Sequence, residues 1–563
     1  LGMCLIRSND ILETSFGYLC LERAFDSHYV NEVIPINCYQ GKLIAFIVGR
    51  YNYQMNKYKT AEKFFKLADS SEICKDDSQK ILLATNISGF PESIEDAKNK
   101  IKTYNSRIDN LLDKNKIEIT FFQSNVYNNC VLSPFNLEIY YEADFRSCME
   151  KYYKLVIKLF PDLNYISPDL QNNSIFSKKP YKIGIASAFY SKNNSVIADF
   201  GGVIKQLPKD IFDITYIYIV ENNYDKNNFV FINEKHIIID SNSGPDWLGE
   251  ARKKISILNL DLLFYLESTM SPCAQMVMMS KLAKVQAVSH GHPVTSGIDK
   301  EIMNYYISWG AAELDYETAK NHYTEELILL PKNSMHQYYE HRTLPGMFSA
   351  IDNMCFKNFK RNNFSQYVPN NGTWYICMQK PFKRHPEFYY MLASILKKDP
   401  NGRLILHDTD KKENKQIVES RLKNQNINMS RVHFIPPQPH YKLMGLYMLS
   451  DVILDSYHAG GCTTTREALE IGAVVVTLPS KYLGGRWSLA YYNIIGVLDV
   501  IAKDKEDYIN LAVKMGTNME ARKKVKKSIL ENVHKLFHSR EAIESWANSF
   551  IKIINSVNID EEG

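Results

Sequence analysis

The sequence lacks paired cysteines, long apolar runs and a strong charge of either sign. Its ten cysteines (Cys4, Cys20, Cys38, Cys74, Cys130, Cys148, Cys273, Cys355, Cys377 and Cys462) are scattered, and no two form a Cys-x-x-Cys pair. That argues against a zinc ribbon or a thioredoxin-type site and predicts reduced thiols in a cytosolic setting. No run reaches the roughly 18 apolar residues of a membrane span. The best stretch, Leu43–Gly49, is bracketed by Lys42 and Arg50. The 67 basic and 63 acidic residues leave a net charge of +4, too small to point to a nucleic-acid partner. The chain begins at Leu1 with neither Met nor a signal-peptide pattern. A missing start, and a targeting segment lost with it, therefore stay open.

What is present is ordinary globular material: 563 residues, 45% hydrophobic and 23% charged. That length suggests about three to four domains. Residues 1–175 read as helical. Gly49, Tyr58, Ala61, Phe65 and Ala68 fall at the small and aromatic positions of one tetratricopeptide (TPR) helix pair. An ordinary amphipathic hairpin is the alternative. Residues 92–118 and 145–160 have helical spacing. From Lys179 short β-rich runs alternate with helical stretches. The expected strands are Ile183–Ala188, Ile214–Val220, His236–Asp240, Leu262–Leu266, Val285–Ser289 and Tyr305–Ser308. A second set follows a less regular stretch at 336–372: Trp374–Met378, Arg403–His407, Val432–Ile435, Val452–Asp455 and Val474–Leu478. Helices are expected near 386–398, 411–424, 440–450 and 464–471, with Gly472 as a helix stop. This is an α/β pattern of two parallel sheets in tandem, with domains at 176–345 and 346–563. Ligands in such folds sit at the carboxyl ends of the strands.

The most informative stretch is Asp455-Ser-Tyr-His-Ala-Gly-Gly-Cys-Thr-Thr-Thr-Arg-Glu-Ala-Leu469. It reads strand, Gly-rich turn, helix. Gly460 and Gly461 permit positive φ and close backbone approach. Thr463, Thr464 and Thr465 open a helix whose free N–H groups and positive end suit a diphosphate. Glu467, one turn in, could accept from ribose hydroxyls. A capped helix after a tight turn is the alternative. Just past the first strand of the same domain, Gln379 could read a base or phosphate, and Lys383 and Arg384 could neutralise a leaving diphosphate. A solvated basic turn is the plainer reading. In the first sheet, His290 and His292 follow a strand and could serve proton transfer or acceptor binding. Glu267, at another strand end, is a candidate carboxylate, with a rim salt bridge as its alternative.

Taken together, four blocks resemble the catalytic region of the SPINDLY/O-linked N-acetylglucosamine transferase family (glycosyltransferase family 41), and its bacterial-type members most closely. They are Gly291-His-Pro-Val-Thr-Ser-Gly-Ile298; Phe382-Lys-Arg-His-Pro386 with Asp399-Pro-Asn-Gly-Arg-Leu-Ile405; Asp451 to Leu469; and Val474-Val-Val-Thr-Leu-Pro479 with Gly485 and Arg486. The resemblance implies a GT-B fold: two Rossmann-like domains facing a cleft, behind a TPR-like helical region. It implies transfer of a sugar, N-acetylglucosamine first, from a nucleotide sugar such as UDP-N-acetylglucosamine to Ser or Thr side chains of proteins. GDP-fucose or UDP-glucose donors and other acceptors stay open. No cofactor, no metal and no membrane partner are expected, and a cytoplasmic or nucleocytoplasmic location is.

By the same resemblance, Lys383 reaches the donor phosphates. His458, Gly460, Gly461, Cys462, Thr463, Thr464, Thr465, Glu467, Gln379 and Arg486 fall on the donor side. Lys383, His292, Glu267 and Asn194 are the catalytic candidates. The chain departs from the family at three points. Asn194 stands where a histidine is usual, and an amide cannot exchange a proton near neutral pH. Glu267-Ser-Thr-Met-Ser-Pro272 keeps the first carboxylate of a family pattern and has Ser271 in place of the second. Cys462 replaces a histidine. These changes keep a second reading in view: a catalytically inactive scaffold.

Overall fold

The computed structural model describes residues 44–560 apart from 46, 50, 53–56, 70–76, 118–132, 173–177, 193, 222–227, 291–293, 342–357 and 409–411. Helices α1 (Tyr58–Asp69), α2 (Ser78–Thr85), α3 (Ile94–Leu112) and α4 (Phe145–Leu159) form the N-terminal region. Ala61, Phe64, Phe65 and Leu82 are fully buried in a small core of their own with Ala45 and Val48. A Cβ on Gly49 would lie 2.6 Å from the Phe65 ring, so the glycine lets two helices approach closely. Ser93 and Asp144 cap α3 and α4 by accepting the N–H of the third residue on.

The first sheet has seven parallel strands in the order β3-β2-β1-β4-β5-β6-β7. They are β1 (Tyr181–Ser187), β2 (Phe212–Val220), β3 (His236–Asp240), β4 (Leu262–Tyr265), β5 (Val285–Val288), β6 (Tyr305–Trp309) and β7 (Glu326–Leu330). The sequence predicts the first six. It does not single out β7, whose Glu-Leu-Ile-Leu-Leu run follows two short helical turns. Helices α5 (Ser195–Gln206), α6 (Trp247–Ser256) and α7 (Pro272–Met278) cover the sheet.

The second sheet has five parallel strands in the order β10-β9-β8-β11-β12. They are β8 (Thr373–Cys377), β9 (Gly402–His407), β10 (Val432–Ile435), β11 (Val452–Leu454) and β12 (Val475–Val476). All five fall within a residue or two of the expected runs. The crossover helices are α8 (Pro386–Lys398), α9 (Lys412–Lys423), α10 (His440–Leu449) and α11 (Thr463–Glu470), followed by α12 (Trp487–Ile495), α13 (Lys505–Thr517) and α14 (Met519–Asn532). Gly472 has φ 74°, the left-handed stop after α11. In both sheets the strand order reverses beside the first strand, between β1 and β4 and between β8 and β11. Loops leaving those neighbouring strands at their carboxyl ends bound a crevice.

The last helix, α15 (Arg540–Asp560), crosses back onto the first domain. Trp546 is 1% exposed, donates Nε1–H to the His336 carbonyl at 2.6 Å, and packs edge-on against Phe200 with Phe264 and Phe550 beside it. The C-terminal strap therefore shares the first sheet's core. Trp546→Ala should destabilise the protein by about 3–5 kcal/mol. A denaturant titration followed by far-UV circular dichroism checks this; a loss under about 1 kcal/mol would show that α15 is loosely docked.

Candidate active site

The strand β11 ends in Asp455, a carboxylate 4% exposed. It accepts the Gly461 N–H at 2.8 Å, the Thr477 hydroxyl at 2.8 Å and the Ser488 hydroxyl at 2.6 Å. The Tyr508 hydroxyl holds its main-chain carbonyl at 2.8 Å. These bonds turn the chain from β11 into α11. Burial raises the Asp455 carboxyl pKa, while the Ser488, Gly461 and Thr477 donors and nearby Lys383 pull it back down.

Neither Gly460 nor Gly461 takes the positive φ that the sequence suggests. The need for glycine at 461 is space. A Cβ there would meet Gln379 Nε2 at 2.4 Å, Thr465 Oγ1 at 2.6 Å and Thr464 Oγ1 at 2.7 Å. Gln379 and Lys383 leave β8, the strand beside β11. Gln379 donates to Thr464 Oγ1 at 2.6 Å, and Lys383 donates to the Gly460 carbonyl at 3.2 Å. One amide, one ammonium and a helix start thus converge on one glycine loop. At the far side, Glu467 is 3% exposed and its Oε1 lies 3.0 Å from His440 Nε2 on α10. His440 carries no sequence motif; only its position at the start of α10, in the chain turn after β10, points toward the loop.

The first domain meets this loop through Asp199 on α5, a residue sequence reasoning missed. Its Oδ1 accepts from Thr463 Oγ1 at 3.3 Å and from the Tyr339 hydroxyl at 2.8 Å. His290 Nε2 lies 3.7 Å from Asp199 Oδ2. Arg466 stacks over the Tyr339 ring at 3.5 Å. The signal for Asp199 was weak but present: an acid in the apolar helix Ser195–Gln206 must be buried and satisfied.

Other expected residues lie elsewhere or do other work. Arg486 donates to the main-chain carbonyls of Ala312 and Ser480, so it ties the two domains together instead of reaching into the glycine loop. His458 turns away from the loop. Its Nε2 is 2.8 Å from Glu387 Oε2 and its ring stacks on Tyr141. Burial lowers its pKa to about 4. Cys462 sits with its Sγ 3.3 Å from the Tyr491 hydroxyl, and burial pushes its thiol up. Thr465 Oγ1 is 3.0 Å from Ser488 Oγ, inside the Asp455 network. Asn194 caps α5, its Oδ1 accepting the Val196 N–H at 2.8 Å. Glu267 is 1% exposed and accepts from Ser187 Oγ at 2.7 Å and the Ala188 N–H at 2.9 Å. It supports the turn after β1 from behind. Its hydrogen bonds stay on Ser187 and Ala188 in the first domain. His292 lies outside the described residues.

With this geometry in hand, comparison with known proteins is direct. Residues 358–545 match the family model described as Glycosyl transferase family 41. The chain is 24% identical over 374 residues to a probable UDP-N-acetylglucosamine–peptide N-acetylglucosaminyltransferase SPINDLY of Hordeum vulgare, covering 61% of this chain and 37% of that one. A UDP-N-acetylglucosamine–peptide N-acetylglucosaminyltransferase of Caenorhabditis elegans is 27% identical over 161 residues, 28% of this chain and 14% of its own. Residues 358–545, about a third of the chain, are thus similar to glycosyltransferase family 41. The chain spans about a third or less of the length of these curated relatives. A solved mutant of Thermobaculum terrenum O-GlcNAc transferase superposes with a TM-score of 0.68 at 15% identity, covering 99% of this chain and 96% of that one. The fold is therefore GT-B. The family 41 match falls on the domain that carries Gln379, Lys383 and the Asp455–Glu467 loop.

Burial raises the Glu267 carboxyl from 4.5 to about 8. A raised folded-state value means the folded protein holds a proton that the unfolded chain gives up. Stability contributed by that proton is present below about pH 4.5 and is lost as pH rises toward 8. Glu267→Gln removes the ionisation. Between pH 5 and 9 the variant should hold its stability while the parent falls behind, by up to about 5 kcal/mol at the alkaline end, as denaturant titration at each pH would read. Parallel curves would place the charge in solvent.

Proposed function

We propose that the chain is a protein glycosyltransferase that moves N-acetylglucosamine from UDP-N-acetylglucosamine to Ser or Thr side chains, without a metal in the reaction. The observation that carries this reading is the convergence of Lys383, Gln379 and the start of α11 on Gly461, with Glu467 and His440 one turn further. That arrangement suits a nucleoside diphosphate: phosphates at the helix start and beside Lys383, ribose toward Glu467. The names of the relatives support the donor and the peptide acceptor. The acceptor hydroxyl would attack the anomeric carbon, its proton passing to a base. The bond from that carbon to the diphosphate oxygen would break, and the nucleotide would leave with both bonding electrons. Lys383 and the α11 N–H groups act where that negative charge grows, so they favour the transition state over the ground state.

A specific observation favours a second reading, the inactive scaffold. Asn194 is spent as a helix cap, and a carboxylate, Asp199, already occupies the Thr463 hydroxyl. The two readings diverge in measurement. Lys383→Ala should lower transfer to a peptide acceptor by roughly 100-fold or more with the melting temperature retained; turnover equal to the parent's would sink the transferase assignment. Calorimetric titration with UDP and with GDP, no metal added, should show UDP preferred. A GDP preference would shift the donor to a fucose type, and heat from neither would favour the scaffold.

A further inference from the structure

Away from the glycine loop, three separate segments bring two imidazoles and two carboxylates into one buried spot. His385 and Glu387 flank Pro386 at the start of α8. His458 comes from the loop after β11. Glu142 comes from the turn ahead of α4, in the helical N-terminal region. The ligand-capable atoms of His385, Glu387 and His458 all lie within 4.8 Å of one another. His458 Nε2 is 2.8 Å from Glu387 Oε2, and His385 Nε2 is 3.2 Å from Glu142 Oε1.

The second observation concerns what these atoms lack. His385 is 0% exposed, and its Nε2 has no hydrogen-bond partner. Both carboxylate oxygens of Glu142 are also buried without a hydrogen-bond partner. A buried carboxylate without donors is costly unless something completes it. Lys505 answers Oε1 of Glu387 and leaves Oε2 facing His458, with the Tyr141 hydroxyl 3.3 Å away.

We propose that the side chains of His385, His458 and Glu387 bind one zinc-class divalent cation as a structural site, with the Glu142 carboxylate held behind His385. A set of two imidazole nitrogens and one carboxylate suits zinc, cobalt or nickel; magnesium and calcium prefer oxygen alone. Around a tetrahedral ion with bonds of roughly 2.0–2.1 Å, neighbouring ligand atoms stand about 3.3 Å apart. Here His458 Nε2 and Glu387 Oε2 stand 2.8 Å apart, and the three residues' ligand atoms lie within 4.8 Å of one another, so small side-chain shifts would seat the ion. His385 Nδ1 accepts the Glu387 N–H at 3.2 Å as the cap of α8, which leaves the ring proton on Nε2. On metal binding Nδ1 exchanges that long cap bond for the ligand bond, and the Nε2 proton stays facing Glu142 Oε1 at 3.2 Å, the carboxylate behind a metal-bound imidazole. The ion would join the base of α8, two residues past Lys383, to the loop two residues before Gly460, with the helical region tied on through Glu142. It takes no part in sugar transfer, and the proposal does not depend on the transferase reading.

The test uses the full chain, stripped with a chelator and then titrated with Zn2+ or Co2+ alone. The expected result is one ion per chain, a higher melting temperature with the ion, and the visible absorption bands of four-coordinate cobalt. His385→Gln and His458→Gln should each weaken binding by about 10-fold or more. Should either variant fail to fold, X-ray absorption at the zinc edge of the parent protein should report nitrogen and oxygen neighbours only. Absence of stoichiometric binding, sulfur in the zinc shell, or affinity unchanged in both variants would overturn the site.

Discussion

The buried carboxylate of Asp455 constrains everything around the candidate site. It stands at the end of β11, where a strand of three residues must hand the chain to a helix within a short loop. Three donors from three places converge on it: the loop's own Gly461, Thr477 just beyond β12, and Ser488 on α12. Each bond offsets part of the cost of burying the charge, and charge-assisted bonds are the stronger kind. Once Gly461 is drawn onto Asp455, the start of α11 must face Gln379 and Lys383. Glycine at 461 then follows from crowding by Gln379, Thr464 and Thr465. The convergence of Gln379, Lys383 and the start of α11 on one glycine loop is thus a consequence of one carboxylate at a strand end.

The two domains are held against each other by buried polar contacts and by the strap of α15. Asp199 reaches Thr463, Arg486 reaches the Ala312 carbonyl, and Trp546 enters the first sheet's core after the chain has already built the second. This differs from two beads on a linker. The last helix closes the first domain only after residue 540, so the order of elements along the chain is not the order of domains in space.

Much of this was legible in the sequence because parallel strands buried on both faces leave short apolar runs, and eleven such runs stand where strands are found. The strand β7 escaped because its residues read equally as the end of a helical segment. The docking of α15 escaped because an amphipathic helix shows that it must pack, not against what. In the site, Gln379, Lys383, Gly461, Thr464 and Glu467 come together as their motif order suggests. Position in a motif did not tell direction. His458 and Arg486 sit in the right blocks yet point at Glu387 and at the first domain's backbone. Residues brought in from other elements, Asp199 and His440, carry no local pattern. The same is true of Glu142 beside His385, since residues drawn from three distant segments show no spacing that a sequence reading could detect.

Two of the three departures from the family pattern, Asn194 and Ser271, fall in the first domain, while Cys462 stands in the glycine loop of the second; the change at 194 has a direct physical sense. Asn194 holds the first turn of α5, and Asp199 lies one turn further along that helix. The cap thus positions the carboxylate that touches Thr463. Under the transferase reading, a donor diphosphate and Asp199 carry the same sign and compete for the same hydroxyl. Donor entry must then loosen the Asp199–Thr463 contact, while Tyr339 can keep the carboxylate satisfied at 2.8 Å. The energy of that exchange is a difference between two buried charge-assisted bonds, not the loss of one. Under that reading the Asp199 side chain serves both the domain junction and the donor loop, and Asn194 caps the helix that carries it.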